Sequence, residues 1–400
     1  MFKFISANTK SVLINATNIG LKMNGIGNYT LNLVKQFALS DSRINFLIYF
    51  NESCKSHVNG ISFPENFEIR WVSKWMSPDK KFPGHLLRLL YSNCLAIKHF
   101  RHLHFSTSPL EICFFKRNQI VTVHDVIPIL FKKFHKKQYH FYKVILKYVL
   151  QFVKMVITPS NYTKKMVHEY YELEDNKVQS IPLAVDSELL QLNDWKEDKK
   201  PYILYVGRIN EMKNVIQVIR SFSVINKSMD LSLIVVGDDK TKFDKLISES
   251  KCEIVTKSKI KFIQNATNEE KYRLMRNASI FLYPTLFEGF GFTPLEAMSC
   301  GCPVIVSNNS SLPEVCGDAA CYVQPENEYD IAEAVMNVLI NSEKRANLIQ
   351  KGFERVQLYS WSRTASEHLI MLNHILYGTE SVSVVKSKVR TSFILSGEKF

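Results

Sequence analysis

Four hundred residues, 46% of them apolar, can fill the cores of two domains, which excludes a disordered chain. No run approaches the roughly 20 uninterrupted apolar residues of a membrane-spanning helix; the most apolar stretch, Val144 to Thr158, is broken by Lys147 and Lys154. The formal charge of +13 leaves nucleic acid, an anionic membrane face or phosphorylated substrates as candidate partners. The basic residues are spread rather than packed in one tract, and no finger, recognition helix or single-strand motif accompanies them, which argues against nucleic acid.

Short β-rich runs alternate with helical stretches, the pattern of parallel α/β layers. The first half predicts strands at Val12–Ala16, Phe46–Phe50, Glu68–Val72, Leu103–Ser106, Ile120–His124, Met155–Thr158 and Val178–Ile181. Helices are predicted at Asn28–Leu39, His85–His99, Lys136–Val153 and Tyr162–Tyr170. The polar stretch Leu192 to Lys200 reads as a linker. The alternation then resumes with strands at Tyr202–Val206, Ser232–Val236, Ile260–Ile263, Ile280–Tyr283, Val304–Val306 and Cys321–Val323. Residues from Glu380 onward read as weakly structured.

Several polar or glycine-rich segments directly follow these strands, and in an open parallel sheet ligands bind beyond the carboxyl ends of strands. After the first strand comes Asn24-Gly25-Ile26-Gly27-Asn28-Tyr29, which lacks the third glycine of a dinucleotide fingerprint. It is either an ordinary turn or a loop that lets backbone approach a phosphate or sugar, with Gly25 and Gly27 as the close points. His124-Asp125 ends an apolar strand, where the histidine is either structural or placed to donate to a sugar hydroxyl or move a proton. Gly207-Arg208 through Lys213-Asn214 places two cations around a short loop. An Arg fork and a Lys point charge there can neutralise a diphosphate, unless the loop is merely solvated. The densest run is Glu288-Gly289-Phe290-Gly291-Phe292-Thr293-Pro294-Leu295-Glu296. Its glycines feed a predicted helix start with Thr293 as N-cap, so free amides and the helix dipole converge on one anion site. Glu296 falls three residues after that cap and either closes a capping box or grips a ligand, whereas Glu288 has no such structural excuse.

The run from Glu288 through Pro294-Leu295-Glu296-Ala297-Met298 to Gly301-Cys302-Pro303-Val304, followed by Ser310-Ser311-Leu312-Pro313-Glu314-Val315 and Gly317-Asp318-Ala319-Ala320, resembles family 4 of the retaining glycosyltransferases. Gly207-Arg208 with Lys213-Asn214, Gly25 to Tyr29, and Val123-His124-Asp125-Val126-Ile127-Pro128 match three further blocks in the family's order. The similarity runs from about Asn15 to Leu372. Asn15 stands where relatives often carry Asp, Cys300 and Cys302 replace small residues, and the Arg208–Lys213 loop lacks a frequent proline.

The resemblance implies an α/β GT-B fold, two Rossmann-like domains with parallel sheets facing across a cleft. It implies residues 1–190 as an acceptor-binding domain, 200–358 as the nucleotide-sugar domain, 359–376 as a helix crossing back to the first domain, and 377–400 as a poorly structured tail. Arg208 and Lys213 would hold the donor diphosphate and Glu296 the ribose. Glu288 and the amides of Phe290, Gly291, Phe292 and Thr293 would hold the transferred sugar. His124 would meet that sugar near the reacting centre, with Gly27 approaching the phosphate and Gly25, Asp125 and Gly207 completing the substrate set. No cofactor or metal is expected, since cations and helix dipoles take the metal's place. The phrases T-V-H-D-V-I-P and S-S-L-P-E-V look most like bacterial mannosyltransferases that use GDP-mannose on a lipid-linked glycan of O-antigen or exopolysaccharide, with UDP-sugar transferases as the near alternative. A non-catalytic glycan- or nucleotide-sugar-binding scaffold and a nicotinamide oxidoreductase built on the Gly25 loop are the other classes considered.

Eight scattered cysteines without a C-x-x-C pair, and an N-terminus without signal-peptide layout, lead us to expect a cytoplasmic chain with reduced thiols. Basic amphipathic stretches at residues 82–104 and 136–154 leave peripheral contact with the inner face of an anionic membrane open beside the plainer reading of solvated helix faces.

Overall fold

The computed structural model describes residues 10–185 and 201–378, so the linker at 192–200 and nearly all of the tail lie outside the described residues. The chain divides into two compact units. Unit 1 holds residues up to Pro159, Thr163–Pro182 and those from Trp361 onward; unit 2 holds Ser160–Tyr162 and Leu183–Ser360.

Unit 1 is built on a seven-stranded sheet of β1 (Ser11–Asn15), β2 (Asn45–Asn51), β3 (Phe67–Val72), β4 (Leu103–Ser106), β5 (Gln119–Thr122), β6 (Met155–Thr158) and β7 (Val178–Ser180). The spatial order is β3-β2-β1-β4-β5-β6-β7 and every pairing is parallel, with Val12 beside Phe46 on one side and Leu103 on the other. Central strands such as Val12-Leu13-Ile14 read as continuous apolar runs because both faces are covered. On one face the ring of Phe37 from helix Gly25–Leu39 stacks on Phe46. There too, Tyr29 of the same helix donates to His368 Nε2 at 2.9 Å, joining it to helix Trp361–Tyr377. On the other face Leu13, Leu47 and Tyr49 pack with Leu95 of helix Lys81–Lys98.

Unit 2 repeats the plan with β8 (Tyr202–Val206), β9 (Ser232–Gly237), β10 (Ile260–Gln264), β11 (Ile280–Tyr283), β12 (Val304–Ser307) and β13 (Ala320–Val323), again all parallel, in the order β10-β9-β8-β11-β12-β13. In each sheet the chain winds outward from a first strand and then returns to that strand's other side, so the reversal falls between β1 and β4 in unit 1 and between β8 and β11 in unit 2. Loops leaving such a pair diverge and open a crevice at the carboxyl edge.

Several helix starts differ from the sequence expectation: the helix predicted from His85 begins at Lys81, and the one predicted from Tyr162 begins at Asn161. The first helix begins at Gly25 rather than Asn28, because Asn24 Oδ1 accepts the Gly27 amide at 2.9 Å and caps it earlier. The helix expected to be capped by Thr293 spans Phe292–Ser299, and Gly291 is its cap residue at φ +113°. The helix predicted over Lys136–Val153 is divided: a π-helical turn, Phe141–Leu146, lies between Lys136–His140 and Lys147–Phe152.

Candidate functional site

In unit 2 the loops after β8 and β11 flank the crevice, and hydrogen bonds stitch them together. The β8 loop leaves through Gly207, where a Cβ would lie 2.5 Å from the Tyr205 hydroxyl, so only glycine fits. Asp238, just after β9, accepts the Ile209 amide at 2.9 Å. Asn210 caps a single 3₁₀ turn by accepting the Lys213 amide at 3.0 Å. Asn214, left-handed at φ 55° and buried, donates to the carbonyls of Pro284 and Pro325. The Met212 carbonyl takes the Leu286 amide and the Thr285 hydroxyl, each at 2.8 Å. Side-chain clamps thus hold this proline-free loop.

This stitching brings Lys213 and Glu288, 75 residues apart, into a direct ion pair through Glu288 Oε1, with the two side chains 18% and 13% exposed. Tyr283, the last residue of β11, donates its hydroxyl to the same oxygen at 2.7 Å. Burial, then the Glu288 charge beside it, holds the Tyr283 phenol well above its usual range, so it stays a donor. The Lys213 ammonium also lies 5.4 Å from the Tyr283 ring centre. Ser310 accepts the Glu288 amide, and Ser311 donates to the carbonyls of Glu288 and Phe290, so the loop after β12 braces the whole turn. Arg208 stands exposed on the β8 loop.

Gly291 is fixed by two independent facts: its positive φ, and Leu312 Cδ2 only 2.8 Å from where a Cβ would sit. Phe290 is buried against Tyr359 and Phe292. Thr293 lies in the first turn, with its side chain hydrogen-bonded to Tyr283 instead of capping. Glu296 closes no capping box; its carboxylate takes Lys271 Nζ at 2.7 Å and the Tyr272 hydroxyl at 3.4 Å. The sequence reading missed Tyr283, Lys271, Tyr272 and the bracing role of Ser310 and Ser311. Only the two serines carried a signal, as part of the quoted motif.

In unit 1 the amides of Gly25 and Ile26 stand ahead of the first capped bond, at the positive end of a 15-residue helix. A Cβ at Gly25 would meet nothing within 4 Å, and one at Gly27 would make only ordinary contacts at 3.5 Å. Packing within the unit therefore gives no reason for either glycine. His124 is partly buried, with its Nε2–H donated to the Thr107 carbonyl at 2.9 Å. Burial pushes its pKa down to about 4, so the ring is neutral and Nδ1 carries a lone pair. That corrects the expectation that His124 donates to a hydroxyl: its N–H is already engaged, and Nδ1 can only accept. Tyr29 packs edge-on to it at 4.9 Å. Thr107 is itself fixed by Asn18 at 2.9 Å and Thr30 at 2.8 Å, and Asn18 reaches Glu111 of a buried Arg88–Glu111 pair. Asp125 accepts the Ile127 amide at 2.9 Å, so part of its role is to start the turn that follows. Asn15 is buried, donating to Ser92 and accepting from Thr17.

Among the described residues no group of three or more His, Cys, Asp or Glu is placed to hold a metal ion, all eight cysteines are unpaired, and no helix is long and apolar enough to cross a membrane.

A unit with a braced glycine turn and a Lys–Glu pair at the sheet reversal, following another of the same topology, is the build of a two-domain Rossmann-like α/β protein with an anion-binding edge. The sequence matches the description "Glycosyltransferase Family 4" over residues 23–189 and "Glycosyl transferases group 1" over 191–355, and the chain belongs to this glycosyltransferase family. It is 31% identical over 224 residues to the O-antigen chain mannosyltransferase RfbU of Salmonella typhimurium, a stretch covering 56% of this chain and 61% of the relative. It is 24% identical over 376 residues to O-antigen chain mannosyltransferase B of Escherichia coli, covering 86% and 94%. The fold is that of the sucrose-phosphate synthase of Thermosynechococcus elongatus, with a TM-score of 0.70 at 16% identity over 92% of this chain and all of the other. The fold class is thus GT-B.

Proposed function

We propose that the chain is a retaining, metal-independent glycosyltransferase. In this reading it moves mannose from GDP-mannose to a hydroxyl of a lipid-linked oligosaccharide in bacterial surface polysaccharide synthesis, working at the cytoplasmic face of the membrane. The observation that carries the reading is the Lys213–Glu288 pair, held across the β8 and β11 loops at the reversal of the sheet with Arg208 exposed on the same loop. The names of the two mannosyltransferase relatives support the choice of sugar.

In this reading the donor's diphosphate lies between Arg208, the remaining N–H groups of Lys213 and the amides at the start of helix Phe292–Ser299. As the bond from the sugar's anomeric carbon to the phosphate oxygen breaks, that oxygen gains charge, which these groups stabilise. The acceptor oxygen bonds to the same carbon from the side the phosphate leaves, and its proton passes to the departing phosphate oxygen. Glu288 accepts from sugar hydroxyls, Glu296 from the ribose, and His124 Nδ1 accepts from a substrate hydroxyl.

The test is a donor panel of GDP-mannose, UDP-glucose and UDP-GlcNAc with membrane lipid extract as acceptor. Transfer or hydrolysis of GDP-mannose is expected. Turnover of a UDP-sugar alone replaces the donor assignment, and tight donor binding without turnover under any condition replaces the enzyme with a binding scaffold.

A further inference from the structure

Residues 80–168 carry sixteen lysines and arginines against two acids, Glu111 and Asp125, so this stretch holds +14 while the rest of the chain sums to −1. No single run stands out, and so the cations read as dispersed along the sequence. Glu111 is fully buried against the Arg88 guanidinium at 3.1 Å and Asp125 is partly buried, bonded to its own turn, so exposed acid is nearly absent here.

The same stretch concentrates exposed apolar side chains. Helix Lys81–Lys98 buries Arg88, Ser92 and Leu95 but turns Leu86, Leu90 and Ile97 outward along one ridge. Ile97 is 80% exposed, and Phe100 and Phe115 nearby in sequence are 68% and 88% exposed. The helical run from Lys136 to Phe152 does likewise, with Val144, Tyr148 and Phe152 outward at a spacing of four and Leu146, Val149 and Leu150 inward. Right-handed crossovers set both on the same face of the sheet, because β3 to β4 and β5 to β6 run in the same direction across it, opposite to β1 to β2. Cations stand over the aromatic rings: Arg101 at 5.4 Å from Phe100, Arg117 at 5.9 Å from Phe152 and Lys143 at 5.6 Å from Tyr139.

We infer that this face of unit 1 docks on an anionic phospholipid bilayer, its apolar ridges entering at headgroup depth and its lysines and arginines meeting lipid phosphates. Interfacial surfaces combine these two features, long cationic stems reaching to phosphate around a shallow apolar insertion. A nucleic acid would use the cations and stack on rings, but would leave aliphatic Leu86, Leu90, Ile97 and Val144 without a role. The inference deepens the membrane part of the proposed function and rests on it only for the purpose of the contact, which is to bring the site to a lipid-linked acceptor.

The experiment is flotation of the whole protein with vesicles of phosphatidylcholine alone, or with about 30 mol% phosphatidylglycerol, at low and at raised salt. At least about tenfold tighter binding to the anionic vesicles is expected, weakening with salt. Lys132→Glu/Lys133→Glu/Lys143→Glu is expected to lose at least about tenfold of that binding. Phe100→Ser/Phe115→Ser leaves the charge intact and is expected to lose about fivefold, the sign of insertion rather than attraction alone. Melting temperature and hydrolysis of nucleotide sugar in solution, measured on every variant, report folding and the transferase reading separately. Equal binding or none to both vesicles, a serine variant indistinguishable from the parent, or a single-stranded oligonucleotide bound as tightly as the anionic vesicles, overturns the inference.

Discussion

Lys213→Ala breaks an ion pair whose partners are mostly sheltered from water. At an effective dielectric near 20, opposite charges about 4 Å apart attract by ~4 kcal/mol, and the loss of hydration by both groups cancels most of that. Removing one partner leaves the other with its hydration loss uncompensated, so a single deletion costs more than the pair contributes. Glu288 keeps the Tyr283 hydroxyl at 2.7 Å when Lys213 is gone. The expected loss is therefore ~2 kcal/mol, below the 3–5 kcal/mol of a fully buried pair, or about 4–8 °C in melting temperature for a unit of this size. Glu288→Gln is expected to cost ~1 kcal/mol, because the amide oxygen still accepts from Tyr283 and Lys213 is flexible enough to reach water. The double variant Lys213→Met/Glu288→Gln strands no charge and should melt within about 2–4 °C of the parent. Activity should not follow stability: all three are expected to fall at least about 100-fold in sugar transfer, the scale seen when one electrostatic stabiliser is removed. Thermal melts with initial transfer rates on the same preparations make the comparison. Transfer within tenfold of the parent in the double variant would refute a catalytic role for the pair. A double variant as unstable as the two singles added together would refute the coupling.

Arg208→Ala removes an exposed side chain and should leave the melting temperature unchanged while weakening GDP-mannose binding at least about tenfold by calorimetry; unchanged affinity would remove Arg208 from the diphosphate site. Gly291→Ala forces a side chain to φ +113° and against Leu312, and is expected to cost at least ~2 kcal/mol in a melt. Gly27→Ala should fold normally, since its nearest neighbours lie at 3.5 Å, yet lose transfer activity; a fully active Gly27→Ala would make that turn ordinary. Burial holds His124 and His368 down to about 4, against an ordinary 6.5. Between those pH values the unfolded chain binds more protons than the folded one, so stability is full above about 6.5 and falls as pH drops toward 4. Melts from pH 7.5 to 4.5 should show this decline, and His368→Gln should flatten it by about one proton; an unchanged slope would show that His368 does not contribute.

Most strands were legible as apolar runs, although the one predicted at Ile120–His124 spans Gln119–Thr122. Leu103–Ser106, Met155–Thr158, Tyr202–Val206 and Ile280–Tyr283 have the bounds that their apolar runs predict. A buried parallel strand has no polar alternation to blur its ends, and the residues just past it must turn. Helix starts were less legible, because the cap that forms first sets the boundary. Asn24 reaches forward to Gly27, so the helix absorbs a segment that reads as a loop. Gly291 enters its helix from a left-handed conformation, which no residue-type rule for caps anticipates. The charged residues of the candidate site stood out in the sequence because strand ends and glycines mark the carboxyl edge of the sheet. Their partners were not. Tyr283 belongs to an ordinary apolar strand, and Lys271 lies 25 residues from Glu296 on a polar helix; only the fold shows that either reaches a carboxylate.

Those unread partners change the electrostatics of the site. Read alone, Glu288 and Glu296 place two negative charges beside a proposed diphosphate, which would repel it. In the folded unit each carboxylate is matched by a lysine, Lys213 and Lys271 respectively. The exposed Arg208 guanidinium and the partial positive charge at the start of helix Phe292–Ser299 stand in addition to these pairs, and both favour an anion. The two lysines still have N–H groups beyond those given to the carboxylates, since an ammonium has three donors. The carboxylates can therefore accept from sugar hydroxyls without driving the phosphate away, a division of work that neither glutamate nor lysine achieves alone. It follows that Lys271→Ala should weaken nucleotide binding through repulsion from Glu296, and that Lys271→Ala/Glu296→Gln should recover part of the loss. Calorimetry with GDP-mannose at low and raised salt checks this, because a repulsion relieved by screening shrinks as salt rises, whereas a lost direct contact does not recover.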